Sequence, residues 1–260
     1  MGNEEGVGMG KRIDEWITGS ILFAIVMALA IGAYARNSLW KSEIELWKDC
    51  VSKAPQKERT HHNLGFAYYE EGRWGDAQME FETALVLNPC YTLSLYNLGL
   101  VYYRKGMTEE AIDCYQEALN LDWPPPETYY NLGLAYYQKG SYANAVDTFK
   151  TFIELKPDYE NAYNHLGLAY QRLKKRDRAM ESFQEELRRN PENPHTHLYL
   201  GDLYYEMKDY PKALVHFKRA LTSPGLSEAE RIGKIVTSIE GNRKLRRKSS
   251  PLARKESLKS

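Results

Sequence analysis

The sequence predicts an all-α protein, a solenoid of paired helices preceded by one apolar helix able to span a membrane. Two observations carry this. Leu-Gly recurs at Leu64-Gly65, Leu98-Gly99, Leu132-Gly133, Leu166-Gly167 and Leu200-Gly201, each pair 34 residues after the last. The stretch from Trp16 to Ala35 contains no charged side chain. A fixed period of this length marks stacked units that bury their apolar faces only against one another.

In chain order, residues 1–15 form a polar segment and residues 16–35 the apolar span. At about 1.5 Å per residue such a helix covers roughly the 30 Å hydrocarbon layer. Trp16 and Tyr34 stand at its ends, where amphipathic rings favour the headgroup level. Residues 1–16 hold Glu4, Glu5, Asp14 and Glu15 beside only Lys11 and Arg12, a poor leader for export, which favours retention as a signal anchor. The alternative is cleavage after Ala33-Tyr34-Ala35, which has the small-x-small form of a peptidase site. Residues 39–57 read as a half-repeat capping helix, with Trp47 in the aromatic position and Cys50 in the small one. Five full units follow at 58–91, 92–125, 126–159, 160–193 and 194–227.

Within each unit a tyrosine follows the glycine by three residues: Tyr68, Tyr102, Tyr136, Tyr170, Tyr204. An alanine comes nine later, at Ala77, Ala111, Ala145, Ala179 and Ala213, and an aromatic four beyond it, at Phe81, Tyr115, Phe149, Phe183 and Phe217. Leu and Tyr four apart share one face of a first helix, and Ala and the aromatic share one face of a second. The small residues let the helices approach while the large ones fill the space beside them. Gly72, Gly106 and Gly140 fit a left-handed stop after the first helix. Pro89, Pro157 and Pro191 fit the end of the second. Past the fifth unit, Ser227-Glu228-Ala229-Glu230 reads as a capping box. It opens a capping helix over 228–241 whose Ile232, Ile235, Val236 and Ile239 would cover the last repeat. Residues 242–260 read as a basic, disordered tail.

These positions closely resemble the tetratricopeptide repeat (TPR), which implies a right-handed superhelical solenoid with a concave face lined by the first helices. The resemblance implies a scaffold for a protein or an extended peptide rather than an enzyme. By register the concave lining includes Tyr69, Tyr96, Tyr103, Tyr130, Tyr137 and Tyr205. Rigid rings with a polar tip give large contact area at low entropic cost. Asn63, Asn97 and Asn131 precede three of the Leu-Gly pairs and resemble the asparagine ladder in the repeats of O-linked N-acetylglucosamine transferases. There the amides pair with a bound peptide backbone; the structural alternative is an ordinary repeat asparagine. The carboxylate clamp of chaperone-binding relatives is not matched, since its positions hold His62, Tyr96, Phe66 and Leu100.

A narrower resemblance covers Ser38-Leu39-Trp40-Lys41, Leu46-Trp47-Lys48-Asp49, Ala54-Pro55 and Asn63-Leu64-Gly65. It is similar to the boundary between last membrane helix and repeats in O-mannosyltransferase-like membrane proteins. That implies a single-pass membrane protein with its repeats on the extracytoplasmic side, in a periplasm or lumen. It also leaves open an accessory role in glycosylation or envelope assembly.

Composition excludes other classes. Net charge is zero, but residues 58–125 carry four Lys/Arg against eleven Asp/Glu, and residues 228–260 carry ten against four. Such a gradient favours oriented contacts over nucleic-acid binding. Cys50, Cys90 and Cys114 have no paired spacing for a disulfide framework or zinc. No phosphate loop, nucleophile elbow or metal-binding helix motif is present, so no cofactor and no small-molecule substrate are expected. Phe152 and Glu186 replace the small residue near the end of the second helix, which predicts a less regular junction between repeats three and four.

Overall fold

The computed structural model describes residues 21–32 and 42–248. Among them are thirteen helices and no strand. Helix α1 covers residues 21–32, with every side chain exposed. Among the described residues no helix is long and apolar enough to cross a membrane. The segment 1–15, both ends of the 16–35 span and the tail from 249 lie outside the described residues.

Helices α2 (Glu43–Lys53), α3 (Glu58–Glu70) and α4 (Trp74–Leu87) pack in sequence and belong to a first compact unit, which ends at Val101. Helix α5 (Thr92–Arg104) carries the boundary. The second unit holds α6 (Thr108–Leu119), α7 (Glu127–Lys139), α8 (Tyr142–Leu155), α9 (Ala162–Arg172), α10 (Arg176–Arg189), α11 (Pro194–Glu206), α12 (Tyr210–Ala220) and α13 (Ala229–Lys248). There α7/α8, α9/α10 and α11/α12 are antiparallel pairs, and each pair packs on the next.

The same contact closes these pairs. A methyl group added to Gly65, Gly133, Gly167 or Gly201 would meet the ring of Phe81, Phe149, Phe183 or Phe217 at 2.5–2.9 Å. The ring of each second helix therefore lies directly on the backbone of the first. Ala77, Ala145, Ala179 and Ala213 are fully buried beside those rings. First helices stop through one turn type. Gly72 (φ 72°), Gly106 (φ 76°) and Gly140 (φ 84°) are left-handed, and the next N–H returns to the tyrosine carbonyl five residues back. In the last two repeats Lys174 (φ 59°) and Lys208 (φ 61°) occupy this site, with the same return bond to Tyr170 and Tyr204. A side chain there costs about 1–2 kcal/mol.

The junction of repeats three and four departs from its neighbours by being filled. Phe152 is fully buried, and Tyr130 and Tyr159 meet it at ring separations of 5.1 and 4.9 Å. Helix α9 has 11 residues where α7 and α11 have 13, and Asn161 before it is left-handed (φ 65°). Glu186, 1% exposed, accepts the Asn161 N–H at 3.1 Å and so caps α9 with a carboxylate from α10. Burial raises its pKa, and the backbone amides at the start of α9 partly offset this. Asn161 Oδ1 accepts from Asn164 and Asn193, and Thr196 donates to Asn164, so side chains tie the starts of α9 and α11 together.

At the C-terminal end Ile232 is fully buried, and Ile235 and Val236 pack on the same core. Arg231 grips Asp202 of α11 with two parallel bonds of 3.0 Å. Ser227 bonds Glu228 and does not close a capping box, and α13 runs on past Gly241 to Lys248.

Gly167→Ala is expected to lower stability by about 1–3 kcal/mol through the clash with Phe183. Lys174→Gly is expected to raise it by about 1 kcal/mol by relieving the left-handed site. Urea unfolding of the two variants checks both signs.

Candidate functional site

The concave candidates sit on first helices and are described unit by unit. In the first unit Asn63, Tyr69 and Tyr96 are half-buried, and Asn97 is buried at 8% exposure. Beside them His62 is buried, with its Nδ1 3.0 Å from Ser94 Oγ and its ring against Phe81 and Tyr91. Burial, helped by Arg59, lowers its pKa to about 4. His61 bridges Glu80 (2.7 Å) and the Pro55 carbonyl (3.0 Å), tying α3 to α4 and to the preceding loop.

In the second unit Tyr103, Tyr130, Asn131 and Tyr137 are half-buried, and Tyr205 is 41% exposed. Tyr130 is the most enclosed. Its ring meets Phe149, Phe152, Tyr159 and His165 within 5.9 Å, and burial raises its pKa. His165 Nδ1 lies 2.9 Å from the Asn161 carbonyl and 3.2 Å from the Tyr130 hydroxyl. A carbonyl only accepts, so the N–H is on Nδ1 and both oxygens share it. The Tyr130 hydroxyl proton is thereby left to donate elsewhere. Tyr137 is fixed differently. Arg172 Nε donates to its hydroxyl at 3.0 Å and spreads over the rings of Tyr137 and Tyr142, which are 5.4 Å apart. Tyr205 and Tyr210 form a similar edge-on pair at 5.6 Å.

The ladder of Asn63, Asn97 and Asn131 gives way to His165 and Tyr199. These two rings lie over Phe149 and Phe183 of the preceding repeats, at 5.8 and 5.3 Å. Taken unit by unit, the first helices present half-buried amides at Asn63 and Asn131, and those of the second unit present the ring faces of Tyr137 and Tyr205. Sequence reasoning missed Tyr142, Arg172, Tyr210 and the anchoring role of His165. One signal was available. Tyr69/Trp74, Tyr137/Tyr142 and Tyr205/Tyr210 are aromatic pairs five residues apart in alternate repeats. Among the described residues no cluster of His, Cys, Asp and Glu is arranged to hold a metal ion.

His197 and His216 pair with each other, and burial lowers the pKa of both. His197 Nε2 donates to the Pro191 carbonyl at 2.9 Å, so its Nδ1 must accept the Nδ1–H of His216 at 3.0 Å. Burial, then the neighbouring His197, lowers the His216 pKa to about 4.

Helix pairs stacked in a fixed period, with ring-lined first helices, define a helical-repeat fold. The TPR repeat model matches residues 65–106, 101–140 and 133–174, and the tetratricopeptide repeat model matches 164–227. Together they take in well over half the chain, which belongs to the tetratricopeptide-repeat family.

Solved structures agree on the fold. YrrB, a TPR protein with an unusual peptide-binding site, is 20% identical with a TM-score of 0.63, covering 74% of this chain and 99% of that one. A MamA structure is 26% identical with a TM-score of 0.59, covering 66% and 97%. The pilF protein of Pseudomonas aeruginosa is 21% identical with a TM-score of 0.60, covering 78% and 97%. One curated relative, Protein O-mannosyl-transferase F38B6.6 of Caenorhabditis elegans, is 30% identical over 67 residues. That match takes in 26% of this chain and only 10% of the relative's length.

The buried histidines set an acid limit. An unfolded histidine takes a proton near pH 6.5, while folded His62 waits until about 4. Between these values the unfolded chain binds more protons, so stability present above pH 6.5 is lost as pH falls towards 4. For His62 alone the loss from pH 7.5 to 5 is about 2 kcal/mol. In paired urea titrations His62→Asn is expected to show a correspondingly shallower loss.

Proposed function

We propose that this chain is a membrane-anchored TPR scaffold that holds an extended segment of another protein against its ring-lined first helices. The observation that carries this reading is the set of clamped rings in the second unit. Tyr137 and Tyr142 under Arg172, and Tyr205 against Tyr210, are half-exposed and pre-positioned, so little entropy is lost when a partner covers them. Asn63, Asn97 and Asn131 would supply amides that satisfy a peptide backbone of any sequence. The uncharged run 16–35 supports anchoring by one span, with α1 as its central part and exposed apolar side chains along all of it. In this reading the repeats lie on the extracytoplasmic side, with cleavage after Ala35 as the alternative to anchoring.

A second reading rests on the 67-residue likeness to the Caenorhabditis elegans relative, together with the resemblance of the stretch 38–65 to a membrane-helix/repeat junction. Here the scaffold is an accessory subunit of a membrane O-glycosyltransferase system and presents acceptor proteins to a separate catalytic chain. No phosphate-binding or nucleophile motif in this sequence offers the chemistry itself.

A photo-crosslinking residue at Tyr137 or Tyr205 is expected to trap a protein partner in cells. The same residue at Val86, 82% exposed and on a second helix, is expected to trap none. Equal trapping at all three sites would remove the groove from the reading. Protease added outside sealed spheroplasts is expected to cut the membrane-bound repeats, and protected repeats would place them in the cytoplasm.

A further inference from the structure

Trp123 does nothing for the fold that carries it. It stands where repeats one, three and four have their closing proline and repeat five has the left-handed Gly225, its side chain is 94% exposed, and its backbone is left-handed at φ 57°. A bulky residue is an outlier in that region. Pro124, Pro125 and Pro126 follow, and Pro126 is the N-cap of α7, so the segment displaying the indole is stiff. A rigidly presented tryptophan is the side chain most often found as the anchor of a protein contact.

The same unit offers a receptor of matching size and chemistry. Between α9 and α10 lies an open depression of about 350 Å³, on a different face of α9 from His165 and Arg172. Tyr163, Leu166 and Tyr170 line it as an apolar floor, and the small Ser182 leaves it room. Arg178 and Arg188 also line it, and guanidinium groups stack well on an indole face. Both are paired within the lining, Arg178 with Glu181 at 3.1 Å and Arg188 with Glu185 at 2.5 Å, and the second oxygen of Glu181 can accept the indole N–H. The volume falls within the range of small-molecule pockets, roughly 300–1,000 Å³, and an aromatic side chain buries about 150–250 Å².

Charge complements shape. Residues 106–138, around Trp123, hold six carboxylates and no Lys or Arg. Residues 172–189, around the depression, hold seven Lys and Arg against four carboxylates.

We propose that Trp123 of one copy of this chain docks into the α9/α10 depression of a second copy. Donor and receptor are different patches, so the contact is heterologous and each copy can take on a further one, building a chain, or a ring where the rotation closes. It uses none of the groove residues and leaves the first helices open to a partner, so it does not depend on the function proposed above.

The test is sedimentation of the full chain in mild detergent from micromolar to near-millimolar concentration. The wild type is expected to grow in mass without a plateau at the dimer, and less so as salt rises. Trp123→Ala is expected to weaken association on the order of tenfold to a hundredfold. Ser182→His should do likewise by filling the depression, with the residue that repeat five carries at the equivalent place, His216. The two variants mixed still have one intact donor and one intact receptor, so they are expected to form a one-to-one pair and nothing larger. A wild type that stays monomeric throughout overturns the proposal. So does undiminished association of Trp123→Ala, or a mixture that forms no pair.

Discussion

Everything in this protein depends on a ring lying on a glycine. Where Phe81, Phe149, Phe183 and Phe217 rest on Gly65, Gly133, Gly167 and Gly201, a single added methyl group would intrude to 2.5–2.9 Å. That separation sets how closely the two helices of a repeat approach, and so where the first helix leaves its exposed face. Because each repeat is buried only by its neighbours, an error at one such contact is passed along the array. The tyrosine three residues after each glycine links the contact to the turn, since its carbonyl accepts the N–H that closes the left-handed stop. One short stretch of first helix thus fixes helix spacing, helix end and entry into the next helix.

This explains why so much of the fold was legible. Leu, Gly, Tyr, Ala and an aromatic at fixed offsets are local statements, and a 34-residue period repeats them five times. The half-repeat helix before Glu58 and the covering helix after the fifth repeat were legible for the same reason. Their limits were not. Helix α13 continues to Lys248 because a basic sequence without proline or glycine after Gly241 does not stop a helix that has already nucleated.

The candidate site was legible only in part, because its geometry comes from pairs distant in sequence. Register places Tyr130 and Tyr137 on first helices. It does not reveal that His165, 35 residues beyond Tyr130, would share its N–H with that hydroxyl. Nor does it reveal that Arg172 would clamp Tyr137. Those bonds join neighbouring repeats, and a single repeat pattern contains no information about them. Glu186 is a similar case. In sequence it looked like a packing fault, yet in space it meets the unsatisfied amides at the start of α9.

Departures from the repeat rule concentrate in the second unit, and they fall into two kinds. Phe152, Glu186, His165 and Tyr199 break the rule and are satisfied by packing or hydrogen bonds, so the fold accounts for them. Lys174, Lys208 and Trp123 break it at a backbone cost: each takes a left-handed conformation that suits glycine. Strain of this kind persists only where something else requires the side chain in place. For Trp123, 94% exposed, the docking proposed above would supply that requirement.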